Sequence, residues 1–252
     1  MKKINKLALL APAFMMLASC GGPKDVNMEE AEKIADGIIA WRSKEEFSLP
    51  IYYTANANYE ETKDGKTVKE ELKVIKENND ARFFYMYQSR EIDGVMETVG
   101  ETWFYKDGDK TIRARIVNGK KTYTDWDFNS IDFDLNVYTA QALKVATYEE
   151  LSANYVLETT KGKGVPVGAT FSFASEDEAN LILTKYEFSE EAKGEKEARS
   201  GKVTSTIENY YGVKLNAEIK EGDVTSKLVY SLNREKPTVE KPDLKDFAKE
   251  SD

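Results

Sequence analysis

The chain has 252 residues, with 36 basic against 45 acidic side chains, no histidine and one cysteine. Lack of histidine removes the commonest general base and the commonest metal ligand, and a single cysteine allows no internal disulfide. The excess of acid opposes binding to nucleic acid or to anionic headgroups.

Residues 1–19 read as a secretory signal. Lys2, Lys3 and Lys6 form a positive start, Leu7 to Leu17 an apolar run, and small residues precede Cys20. Eleven residues rise about 16 Å as a helix, short of a bilayer core of about 30 Å. Leu17-Ala18-Ser19-Cys20 resembles the bacterial lipobox, which implies diacylglycerol on the Cys20 thiol and cleavage just before it. Two long acyl chains anchor a protein stably where one is marginal. The mature chain then carries 33 basic and 45 acidic residues, a net of −12. The expected location is the extracytoplasmic face of a bacterial membrane, with residues 20–27 as a tether.

Asn27 and Glu30 form a capping box that opens an amphipathic helix over 28–44, with Ala31, Ile34, Ala35, Ile38 and Trp41 at helical spacing. After Pro50 the period becomes two. Strands are predicted at 51–60, 68–77, 82–90, 97–105, 111–117 and 121–126, separated by Asp64-Gly65, Asn78-Asn79-Asp80, Asp93-Gly94, Asp107-Gly108 and Asn118-Gly119. Such tight turns make an antiparallel meander. Residues 127–153 interrupt it with an acidic stretch and a helix-leaning stretch, perceived in two pieces because Thr147 and Glu150 repeat the capping-box spacing. Strands resume at 155–160, 170–174, 181–188, 203–211, 213–220 and 224–232. The charged segment 189–201 reads as a solvated loop and 234–252 as a loose charged tail. The expected fold is thus α+β and mostly antiparallel. It is an unclosed barrel of about eleven to twelve strands over residues 28–233, with the first helix and the mid-chain helical insertion on its concave face.

Little in the sequence speaks for catalysis. There is no phosphate loop, no Gly-x-Ser-x-Gly elbow and no prominent carboxylate pair, so no enzyme, cofactor or metal is expected. The run from Asp125 departs from a calcium loop of the EF-hand kind, with Ser130 where glycine and Asn136 where glutamate belong. The remaining signal is aromatic: Tyr52, Tyr53, Tyr59, Phe83, Phe84, Tyr85, Tyr87, Trp103, Phe104 and Tyr105 crowd the first four strands. Both faces of 82–87 are apolar, which calls for a second apolar layer or an apolar guest.

The order of elements, with Ala81-Arg82-Phe83-Phe84 and Glu101-Thr102-Trp103-Phe104-Tyr105-Lys106-Asp107-Gly108, resembles the LolA-like superfamily of lipoprotein carriers and lipid-binding lipoproteins. That resemblance implies an acyl-chain site between sheet and helices. Arg82 stands where such carriers have an arginine, while Asp80-Ala81 replaces their nearby proline. The expected lining is Ile34, Ile38, Trp41, Tyr53, Ala55, Tyr85, Trp103, Ile112, Ala114 and Ile116, with the Ile112 face turned toward the first helix. The expected role is lipid or apolar-ligand binding by a membrane-anchored monomer. The alternative is a surface interaction module for a protein or glycan, with a packed core.

Overall fold

The computed structural model describes residues 22–47, 50–77, 83–126, 140–238 and 240–250. Cys20, Arg82 and the acidic stretch 127–139 lie outside them. The described residues form one thirteen-stranded sheet and two long helices. The strands are β1 (Lys24–Val26), β2 (Tyr52–Lys63), β3 (Lys66–Glu77), β4 (Phe83–Ile92), β5 (Val95–Asp107), β6 (Lys110–Val117) and β7 (Lys120–Trp126). They continue with β8 (Thr170–Asp177), β9 (Asn180–Glu190), β10 (Arg199–Glu208), β11 (Tyr211–Glu221), β12 (Val224–Asn233) and β13 (Ala248–Lys249). The order across the sheet is β1-β8-β9-β10-β11-β12-β2-β3-β4-β5-β6-β7-β13. All pairs are antiparallel except β13 with β7. The result is an unclosed half-barrel. Its two outermost strands come from the two ends of the chain and shield edges that would otherwise invite another chain to pair.

Helix α1 (Met28–Arg42) starts as expected: the Asn27 side chain accepts from the Glu30 N–H at 3.0 Å, and Glu30 accepts from the Asn27 N–H at 3.1 Å. Helix α2 (Ala140–Thr160) is one continuous helix and absorbs the strand expected at 155–160. The reason is visible in its burial. Glu149, Ser152, Ala153, Val156, Leu157 and Thr160 are buried, a stripe of helical period that a two-residue alternation cannot produce. Thr147 therefore lies inside a helix instead of capping one.

Both helices pack on the same side of the sheet. Ala31, Ala35 and Ile38 of α1 and Ala153, Val156 and Leu157 of α2 share a core with Tyr53, Ala55, Leu72, Val74, Leu181, Leu183, Val203, Ile207 and Leu215. Lys161 joins the two helices through Asp36 and Glu32.

Two segments read as loops are ordered otherwise. β9 and β10 extend into 189–201, where Ser189 pairs with Ser200 and Glu190 with Arg199. Being charged and solvated, those residues lack an apolar alternation. Residues 234–252, expected to be loose, return to the sheet. A 3-10 turn at Leu244–Asp246 leads into β13, which pairs Ala248 with Thr122 and Lys249 with Tyr123.

Candidate functional site

Register decides which face each side chain takes. One cross-strand row runs Tyr53, Lys76, Phe84, Phe104, Arg113, Thr124, and it belongs to the helix face. The next row runs Thr54, Ile75, Tyr85, Trp103, Ala114, Tyr123, on the outer face. A second apolar cluster forms there from Phe83, Trp103, Tyr105, Ile112 and Ala114, joined by Leu244 and Phe247 of the returning tail. The apolar character of both faces of β4 thus has a physical cause: one face meets the helices' core and the other meets the tail.

Between tail and sheet lies a groove of about 420 Å³. Its floor is Ile75, Phe83, Tyr85 and Trp103. Lys73 and Glu101 rim it on the sheet side, and Thr238, Glu240, Lys241 and Pro242 wall it on the tail side. The Tyr85 and Trp103 rings sit 5.2 Å apart, tilted by 44°. The Tyr85 hydroxyl donates to Glu101 at 3.2 Å, and burial with the Glu101 charge pushes that phenol well above its ordinary value. Lys241 donates to the Lys106 carbonyl at 2.8 Å, with its ammonium 5.1 Å from the Tyr105 ring centre.

The tail is latched beyond the groove. Phe247 meets Trp103 edge-on, with centroids 6.5 Å apart. Three residues further on, Glu250 accepts from Arg115 at 2.7 Å, from Thr122 at 2.7 Å and from Arg113 at 2.9 Å on the helix face. Those donors hold its carboxyl down at about 2. A carboxylate depressed in the folded state stabilises above its unfolded value of about 4.3 and loses that contribution as pH falls through its folded value. The protection factors of the Phe247–Glu250 amides, taken relative to intrinsic exchange at each pH, should therefore stay high at pH 5 and fall as the pH approaches 2. In Glu250→Gln they should be low throughout.

A buried ion cluster lies at the end of the half-barrel where α1 finishes. Arg42 donates to Glu149 at 2.8 and 3.2 Å, to Glu150 at 2.5 Å and to the Tyr210 carbonyl at 2.7 Å. The Gly212 N–H donates to Glu149 at 2.7 Å. Burial opposes the guanidinium charge, but the two carboxylates overcome it and raise Arg42 above its ordinary value. One arginine therefore ties both helices to the β10–β11 turn.

The ten residues expected to line one ligand site do not meet. Ile34, Ile38, Tyr53 and Ala55 lie in the helix-side core. Trp41 is at its rim, 39% exposed. Tyr85, Trp103, Ile112, Ala114 and Ile116 belong to the outer cluster. The Ile112 face thus looks away from α1, because register puts Arg113 and Arg115 on the helix face, where Glu250 reaches them. The alternation of β6 gave no sign of which face was inward. Two arginines and a distant glutamate were the usable signal. Of the acidic run, Asp125 pairs with Lys249 at 3.2 Å and Lys110 at 3.4 Å.

No protein-family model and no curated protein matches this chain.

Proposed function

We propose that this chain is an exported lipoprotein, anchored through Cys20 at the outer side of a bacterial membrane, that works as a surface binding module. Its ligand occupies the outer groove between sheet and tail. The observation that carries this reading is the floor of three aromatic rings, Phe83, Tyr85 and Trp103, with Ile75 beside them, inside a charged rim, of a size typical of ligand sites. The rim mixes Glu101 and Glu240 with Lys73 and Lys241, so it offers acceptors and donors without a dominant sign. That suits a neutral, hydroxyl-bearing ligand with an apolar face, as in the sugar rings of a glycan. Passing the mature protein over immobilised neutral oligosaccharides should show retention that Tyr85→Ala and Glu101→Gln abolish. Retention unchanged in both variants would remove the groove from the account.

A second reading keeps the lipid between sheet and helices. It is favoured by Tyr230, whose buried hydroxyl finds no hydrogen-bond partner among the described residues, beside Tyr148 with ring centroids 5.9 Å apart. An amphipathic guest could satisfy it. Stoichiometric lipid in an extract of purified residues 21–252, detected by mass spectrometry and lost in Tyr230→Phe, would favour this reading over the groove.

Anchoring has its own test. Cys20→Ser has no acyl acceptor, so it should accumulate as an unprocessed precursor that takes up no labelled fatty acid. Normal-sized, labelled mutant protein would contradict the lipobox reading.

A further inference from the structure

Where the tether leaves the fold is set by register. Lys24 pairs with Ser175, Ser175 with Leu181, Leu181 with Ile207 and Ile207 with Gly212. This row crosses the sheet at the end that bears the β10–β11 turn. β1 runs antiparallel to β8, so the residues before Lys24 lead out past the β8–β9 turn at that same end. The two turns are joined: Asn209 N–H donates to the Asn180 side chain at 2.9 Å, and Tyr210 N–H donates to the Ala179 carbonyl at 3.1 Å. Three residues, Gly21, Gly22 and Pro23, separate Cys20 from Lys24, so the four steps between them reach at most about 14 Å. An acyl anchor on Cys20 therefore holds this end close to the bilayer.

The same end carries aromatic rings. Trp41 stacks on Tyr210 at 4.9 Å, and Phe47 stacks on Tyr211 at 5.2 Å. The Lys44 ammonium lies 4.1 Å from the Trp41 ring centre, and the Arg234 guanidinium 5.2 Å from that of Tyr211. Trp41 is 39% exposed and Ile51, just before β2, is 56% exposed. Tyr210 holds this arrangement at φ 71°, a left-handed backbone that a bulky residue adopts only at a cost. The strain presents its ring to Trp41. Tryptophan and tyrosine, flanked by long cations, are the side chains that settle at headgroup level.

We infer that this end of the half-barrel, centred on the Trp41–Tyr210 stack, rests on the surface of the bilayer that receives the Cys20 anchor. The inference depends on the lipidation proposed above. The contact is aromatic and needs no anionic lipid, since a mature chain of net charge −12 is repelled by one. The far end, beyond the Asp64-Gly65 turn, also exposes Val95 and Met96, but the tether leads away from it.

The test uses acylated mature protein in phosphatidylcholine vesicles whose acyl chains carry bromine, a quencher of tryptophan fluorescence. The protein should float with the vesicles, and its fluorescence should fall relative to unlabelled vesicles. The bromine-dependent loss should fall in Trp41→Phe, where Trp103 and Trp126 are the remaining fluorophores, and should not rise again when Lys63→Trp is added at the far end. Hydrogen exchange at 39–47 and 209–212, slowed on vesicles relative to detergent-free solution, reads the same contact without a substitution. Flotation with Trp41 unquenched and exchange unchanged would overturn the inference and leave anchoring intact. Quenching at Lys63→Trp would reverse the orientation and so overturn it as well. Failure to float would overturn both the anchor and the inference.

Discussion

Replacing Gly212 by alanine should lower the melting temperature by about 6–12 °C, read by calorimetry on the mature chain. A Cβ built there meets the Glu149 carbonyl oxygen at 2.2 Å, the Ala153 nitrogen at 2.9 Å and the Ser152 Cβ at 2.9 Å. Two of the three are backbone atoms of α2, so no side chain can swing aside. Overpacking a fixed contact of this kind costs about 3 kcal/mol. The added methyl also pushes the Gly212 N–H from Glu149, a buried bond of 2.7 Å. A contrasting substitution sharpens the point: Gly37→Ala, on α1 with nothing within 4 Å of the added carbon, should stabilise slightly, since glycine costs about 1 kcal/mol relative to alanine in a helix interior. Equal effects at the two sites would refute the close approach of α2 to the β10–β11 turn.

Arg42→Met should destabilise by about 3–5 kcal/mol, the usual loss when one member of a buried pair is removed. The Arg42 side chain is 8% exposed and that of Glu149 4%. Without the guanidinium, Glu149 keeps only the Gly212 N–H among its described partners, and the Tyr210 carbonyl loses its donor. Much of the penalty is thus the stranded carboxylate, not a net contribution from the pair. The double variant Arg42→Met with Glu149→Gln should therefore be less destabilised than the two single variants combined. Denaturant titration of the four proteins measures that coupling. Strict additivity would mean that the cluster does not act as a unit.

The antiparallel meander was legible because hairpin chemistry and alternation agree locally. Asp64-Gly65 and Asn118-Gly119 take positive φ at both residues, as two-residue hairpins require, and the strands between them lie within a residue or two of the expected bounds. The Asn27–Glu30 cap was legible for the same reason. What escaped was non-local. Residues Tyr155–Thr160 mix aromatic, β-branched and polar types, and only the neighbouring sheet shows which of them are buried. The return of Leu244, Phe247 and Glu250 to the sheet depends on Trp103, Arg113 and Arg115, more than a hundred positions away. Local period cannot announce such pairing, so a docked tail reads as a charged, loose one. The candidate site followed the same division. Tyr85 and Trp103 were recognisable as unusual, but their face was not, since a one-residue change of parity exchanges the helix side for the outer side.

The measurement that bears most directly on the outer groove as binding surface is hydrogen exchange of the mature chain with and without a saturating oligosaccharide retained in the binding assay. Binding in the groove predicts slowed exchange at 83–87, 101–105 and 240–247, with α1 and the 149–160 stretch of α2 unchanged. Protection confined to the helices would contradict it and put the ligand on the other side of the sheet.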